Sequence, residues 1–311
     1  MTAPKLLLIL TENNTMRPKM DVADLVGLAV HAEKAGIDGV MASDHIVLGP
    51  SANALGLAAN PRDYALPGNQ DPWTPWPSPL VLLSAVAAAT TSLRLVAGAV
   101  ITPLRHPLAL AKDLATLDRL SDARLVVLPT VSWHRDEYAA LGVSFERRGD
   151  MLDEQLEIFS RVFDGSPSSF EGEFYRFDDV WLEPQPRRQG GPLLWFGGSS
   201  VHRRLISRLV RYGSGFNPLG SPSDDELGRL AAALTAGGRS TAEIEYVGGA
   251  RGIFRDSSST ADLAEAVARI PRQLARGFRT ICVKPSQFID EVAEIPDFCH
   301  ELVTLVNDLG E

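Results

Sequence analysis

A closed (β/α)8 barrel, a TIM barrel, is the fold class this sequence predicts. Three observations predict it: strand-like and helix-like segments alternate eight times from end to end, the strands are almost continuously apolar, and the helices between them are amphipathic. Strands apolar on both faces belong to parallel sheets covered by helices, and eight such units close a barrel. An open doubly wound sheet is the competing arrangement, but TENNTMRP follows the first strand where that fold places a Gly-rich turn. The chain, 1–311, is expected to form one domain, since barrels of this kind reach this length.

The first unit joins KLLLIL (5–10) to DVADLVGLAVHAEKAG (21–36), whose apolar residues recur at helical spacing until Gly36 stops the helix. GVMAS (39–43) pairs with SPLVLLSAVAAAT (78–90) across a long loop, and LRLVAGAV (93–100) with HPLALAKDLATLDRLS (106–121). ARLVVLP (123–129) leads to ERRGDMLDEQLEIFSRVFD (146–164). In the second half PLLWFGG (192–198) leads to HRRLISRLVRYG (202–213), and SGFNP (214–218) to DDELGRLAAALTA (224–236). EIEYVGGARGIF (243–254) precedes ADLAEAVARIPRQLARG (261–277), and RTICVKP (279–285) precedes a closing helix near 290–308. Two insertions interrupt the repeat. Residues 46–77, after the second strand, form a Gly- and Pro-rich loop with Trp73 and Trp76, long enough to suggest function. Residues 165–190, after the fourth helix, read as a short surface β excursion.

Composition narrows the function classes. Hydrophobic content of 45% and charged content of 22% suit a soluble chain with a large core, and a formal charge of -9 argues against general affinity for nucleic acid or anionic lipid. The longest apolar stretch is broken by Ser84, Thr90, Thr91, Ser92 and Arg94, so no membrane span is expected. The N-terminus enters a strand at once without a leader pattern, which points to the cytoplasm. Cys282 and Cys299 form neither a disulfide framework nor a paired metal spacing.

In such a barrel the active site lies at the C-terminal ends of the strands. Those ends carry Thr11 to Asn14, Ser43-Asp44-His45, Gly98 to Thr102, Pro129 to His134, Gly197-Gly198-Ser199-Ser200, Asn217-Pro218, Gly248-Gly249 and Lys284-Pro285. Asp44 and His45 end an apolar strand, where an acid needs donors, water or a ligand to offset desolvation; a salt-bridged structural pair is the competing reading. Gly197, Gly198, Ser199 and Ser200 leave backbone bare before a helix, with either serine able to cap it, and suit an anion such as a phosphate. The histidine spacing is wrong for a metal hydrolase on a barrel strand, and there is no nucleophile elbow or Walker loop. Chemistry is therefore expected from a bound cofactor.

SDHI (43–46), the run from Pro77 to Leu125, WHRDEYAALGVSFERRGDMLDEQLEIF (133–159) and PLLWFGGSS (192–200) strongly resemble the luciferase-like monooxygenase superfamily. The likeness is closest to the branch that uses the deazaflavin coenzyme F-420 in place of FMN. The resemblance implies a reduced deazaflavin or flavin at the strand C-terminal mouth, a small organic substrate and a homodimer. It puts Asp44 and His45 beside the ring, with His45 handling the proton. Gly98, Ala99, Val100 and Thr102 would form a bulge under the ring, with a non-prolyl cis peptide at Ala99-Val100, and the GGSS turn would meet the phosphate tail. Where relatives read Gly-Val-Gly-x-Gly-Trp, this chain reads LPTVSW (128–133), so Thr130, Ser132 and Trp133 line the cofactor on a less glycine-rich backbone. Two alternatives follow: an FMN-dependent monooxygenase of the same fold, and a degenerate barrel that binds cofactor weakly or performs no catalysis.

Overall fold

The computed structural model describes residues 3–309. In chain order it contains β1 (Lys5–Ile9), α1 (Val22–Ala35), β2 (Gly39–Ala42), α2 (Pro79–Ala89), β3 (Arg94–Ile101), α3 (Pro107–Leu120), β4 (Leu125–Thr130), α4 (Arg135–Ala140) and α5 (Arg148–Val162). There follow β5 (Ser168–Glu171), β6 (Arg176–Val180), β7 (Leu193–Phe196), α6 (Arg203–Tyr212), β8 (Gly215–Phe216) and α7 (Asp224–Ala236). The last elements are β9 (Glu245–Gly249), α8 (Leu263–Val267), α9 (Ile270–Ala275), β10 (Phe278–Val283) and α10 (Ile295–Asp308). Eight parallel strands close in the order β1-β10-β9-β8-β7-β4-β3-β2, which is the predicted (β/α)8 barrel, while β5 and β6 form a separate antiparallel pair in the second insertion. Residues 1–2 and 310–311 of the expected domain lie outside the described residues.

Strand periodicity builds two apolar layers. Successive side chains point to opposite faces, so Leu7 and Ile9 of β1 join Met41, Val96, Val126, Leu128, Trp195, Val247 and Cys282 inside the barrel. Leu6 and Leu8 point outward instead, onto the helices, together with Val40 and Leu95. A strand buried on both faces must be apolar at every position, which is why the sequence shows runs rather than alternation.

Helix ends follow local chemistry. Asp21 caps α1 through a capping box, and Gly36 ends it at φ 92°, a left-handed conformation that glycine adopts without steric penalty. The helix expected over 261–277 is instead broken into α8 and α9. Pro271 has no amide to donate and its ring clashes with the carbonyl four residues earlier, so the chain reorganises just before it. The seventh strand ends at Gly249, short of the expected 254, and α4 is an extra turn of helix between β4 and α5. Among the described residues no helix is long and apolar enough to cross a membrane.

Candidate active site

The C-terminal mouth of the barrel is organised first around Asp44. Its side chain is 1% exposed, and both carboxylate oxygens are engaged by Arg105: Nη1 donates to Oδ2 at 2.7 Å and Nη2 to Oδ1 at 3.0 Å. The Ile101 amide donates to Oδ2 at 2.8 Å. Arg105 also donates to the Ile101 carbonyl at 3.1 Å, and the buried Gln155 amide holds the Arg105 carbonyl at 2.9 Å. Asp44 thus ties the end of β2 to the end of β3. The group sits at the mouth with both oxygens accepting from Arg105 and Oδ2 also from the Ile101 amide.

His45 is differently placed. Its Nδ1 lies 3.3 Å from Glu137 Oε2, and its ring meets Trp76 edge-on at 5.2 Å and Trp133 at 6.0 Å. Glu137, on α4, is fully buried, and its Oε1 accepts from the amides of Ile46 at 2.5 Å and Val47 at 3.4 Å. Neighbouring groups of the same segment hold the same loop. His134 Nε2 accepts from the Gly49 amide at 2.7 Å, and Asp136 accepts from the Ser51 amide and hydroxyl at 2.8 Å each. Burial pushes the His134 imidazole below its usual range, against a weaker opposing pull from Asp136 and Glu137. Residues 132–137 therefore form a polar wall behind residues 45–51.

The insertion after β2 crosses the mouth and is pinned on the far side. Asn60 donates to the carbonyls of Asp256 and Ser259 at 3.0 and 2.9 Å, and Arg62 pairs with Asp290 and donates to the Ser258 carbonyl at 2.7 Å. Asp63 forms a bidentate pair with Arg251, 2.8 Å to Oδ1 and 2.7 Å to Oδ2. Buried Lys284, just after β10, donates to the Asp63 carbonyl at 2.7 Å and lies 3.9 Å from Glu12. Desolvation lowers the Lys284 ammonium below its ordinary range, partly offset by Glu12 and Asp63. Tyr64, between these anchors, packs onto the apolar layer inside the barrel, and burial raises its phenol. Trp73 is 89% exposed, whereas Trp76 meets His45 edge-on.

The segments expected to hold the cofactor differ from expectation in two details. β3 is irregular where expected, its register against β4 shifting between Gly98 and Val100, but the non-prolyl cis peptide is Gly98-Ala99 and not Ala99-Val100. Gly98 is needed there because a Cβ would meet Met41 Sδ at 2.7 Å. Val100 is buried, Ala99 packs toward the barrel interior, and the Thr102 hydroxyl donates to the Val100 carbonyl at 3.1 Å. Thr130 ends β4, and the Ser132 hydroxyl lies 3.4 Å from Glu137. In the GGSS turn, Gly197 allows a close backbone approach, since a Cβ would strike the Asn217 carbonyl oxygen at 1.8 Å. Neither Ser199 nor Ser200 caps α6. His202 does so, its ring accepting from the Leu205 amide at 3.3 Å, which leaves both serines exposed.

These residues fit a flat ring with an anionic tail. A Cβ on Gly198 would meet only the Ser200 carbonyl at 3.8 Å, so the turn is open backbone flanked by two exposed hydroxyls. Beside His45, Trp76 Nε1 and His134 Nδ1 are buried without a partner among the described residues, so donors stand ready for an acceptor-bearing group. No cluster of three or more His, Cys, Asp or Glu side chains suited to a metal occurs among the described residues. Both cysteines are buried and unpaired, with burial pushing each thiol up to about 12.

The sequence did not single out Arg105, Glu137 or Tyr64. A lone arginine in TPLRHP and a glutamate in a short polar helix look like surface residues; only their burial and partners distinguish them.

The family profile described as luciferase-like monooxygenase matches residues 6–297. An uncharacterised protein of Mycobacterium tuberculosis is 37% identical over 145 residues, covering 44% of this chain and 49% of that protein. An FMNH2-dependent dimethylsulfone monooxygenase of Pseudomonas putida is 29% identical over 204 residues, 62% of this chain and 54% of the relative. The chain thus spans about half the length of the curated relatives it matches. Among solved structures, an F-420-dependent secondary alcohol dehydrogenase in complex with an F-420-acetone adduct superposes with a TM-score of 0.72 at 14% identity, covering 98% of this chain and 99% of that one. A long-chain alkane monooxygenase gives a TM-score of 0.75 at 14% identity over 100% and 92% of the two chains. At that identity the likeness shows the fold.

Proposed function

The chain belongs to the luciferase-like monooxygenase family, and from that membership we propose that it is a single-domain oxidoreductase that binds a reduced deazaflavin, coenzyme F-420, and acts on a small organic substrate. The observation that carries the reading is His45: an imidazole at the barrel mouth, held at Nδ1 and set between Trp76 and Trp133. Reduced FMN is the second reading, favoured by the dimethylsulfone monooxygenase relative. Bound there, a reduced deazaflavin supplies a hydride, and reduced FMN supplies the electrons that activate oxygen.

The protein's own residues supply position and proton handling. The β3 irregularity at Gly98, Ala99 and Val100, held by Asp44 through the Ile101 amide, would support the ring. Gly197, Gly198, Ser199 and Ser200 would hold the phosphate tail, Thr130, Ser132 and Trp133 would hold the ring, and Thr102 braces the bulge. His45 gives or takes the proton at the substrate oxygen, a role that requires hydrogen-bond reach. The strap over residues 60–65 covers the substrate and limits water, and the working unit is a cytoplasmic homodimer.

Titration with both reduced cofactors tests this reading. We expect coenzyme F-420 to bind with His45→Ala retaining affinity while losing turnover. Tight FMN binding with no deazaflavin binding overturns the cofactor choice, and no turnover with either across a broad substrate panel favours the degenerate barrel.

A further inference from the structure

We infer that Glu137 is a positioning residue that fixes the proton on His45 Nδ1 and so keeps His45 Nε2 as the nitrogen presented to substrate. This rests on the proposed proton-handling role of His45, but its first readout does not. Glu137 Oε1 is already committed to the amides of Ile46 and Val47, and Oε2 faces His45 Nδ1 at 3.3 Å. A carboxylate only accepts, so the nitrogen facing it must carry the proton. His45 Nε2 has no hydrogen-bond partner among the described residues, and the side chain retains 8% exposure. The same carboxylate anchors the backbone immediately after His45, so the ring and the chain that carries it are fixed by one buried group.

Glutamine at 137 separates these two duties. Its single side-chain oxygen stays with the two amides, which offer only donors, and its NH2 then faces His45 Nδ1. A donor opposite Nδ1 forces that nitrogen to accept and moves the proton to Nε2. The shape and the loop anchor survive while the tautomer inverts.

The test is nitrogen NMR of 15N-histidine-labelled full-length protein at alkaline pH, for the wild type, Glu137→Gln and a Ser132→Ala control. Support is a wild-type His45 protonated at Nδ1, a flip to Nε2 in Glu137→Gln, and no flip in Ser132→Ala. A wild-type His45 bare at Nδ1 overturns the inference without any variant, and so does a Glu137→Gln protein whose His45 tautomer is unchanged. Under the proposed function, Glu137→Gln also lowers kcat by about 10²–10⁴-fold, the usual contribution of a positioned proton-transfer group, with KM little changed. A tautomer flip with undiminished kcat in an otherwise active enzyme leaves the positioning role standing and removes His45 from proton transfer.

Discussion

Replacing Asp44 by alanine tests whether this carboxylate is a strut. Its side chain is 1% exposed and shared between a guanidinium that is 20% exposed and the buried amide of Ile101. Removing one partner of a buried ion pair costs about 3–5 kcal/mol because the other charge is left unpaired. Arg105 reaches some water, which reduces that figure, while the sealed Ile101 amide adds about 1–3 kcal/mol for its lost acceptor. Together they give about 4 kcal/mol for Asp44→Ala, and about 2 kcal/mol for Asp44→Asn, which keeps an acceptor for the amide. For a chain of this length that is a Tm lower by about 6 °C in the alanine variant. The assay is urea and thermal unfolding of Asp44→Ala, Arg105→Ala and the double variant. Because the partners touch, the cycle should show coupling of about 1.5 kcal/mol or more. An alanine variant within about 0.5 kcal/mol of wild type, or strictly additive single effects, refutes the strut.

Gly98→Ala drives a Cβ against Met41 Sδ at 2.7 Å and Val96 Cγ1 at 3.2 Å; we expect a loss of about 1–3 kcal/mol by urea unfolding, partly relieved when Met41→Ala is added. Burial holds His134 below its ordinary range, so below about pH 6.5 the unfolded chain takes up a proton that the folded chain refuses, and stability present above that pH is lost as pH falls toward the folded value. His134→Gln keeps an acceptor for Gly49 and should show a shallower fall in urea midpoint over that window. Lys284→Met removes the donor to the Asp63 carbonyl, and losing a charge-assisted bond of about 1.5 kcal/mol should speed hydrogen exchange across residues 60–66 about tenfold while β1 amides stay protected.

The barrel was readable because its strands are buried on both faces and its helices on one, so hydrophobic periodicity carried the architecture. Boundaries were less readable. Pro271 gave a visible warning that the helix over 261–277 would break, yet the long apolar pattern around it read as continuous. The strand read from SGFNP (214–218) is only Gly215–Phe216 long, β8. At the site, Asp44 and His45 were legible as polar residues ending an apolar run, but their roles were not. That one is tied by Arg105 and the other by Glu137 depends on contacts across 61 and 92 residues of sequence, which no local pattern encodes.

The LPTVSW departure from a glycine-rich pattern is absorbed by the backbone, position by position. Pro129 cannot donate to a ladder; it stands opposite Val100, immediately after the point where β3 has lost register and Ala99 is unpaired. Thr130 closes β4 in an extended strand, where a side chain needs no glycine. Only Ser132 takes a conformation that favours glycine, at φ 56°, a left-handed placement costing about 1–2 kcal/mol for an L-residue. Its hydroxyl accepts from the His134 amide at 3.3 Å and lies 3.4 Å from Glu137 Oε2. A glycine there would be freer but would offer neither contact. The substitution therefore moves the segment from bare backbone toward side-chain anchoring of the wall behind His45, and this chain's distinctive residues serve the placement of the imidazole on which its chemistry is proposed to depend.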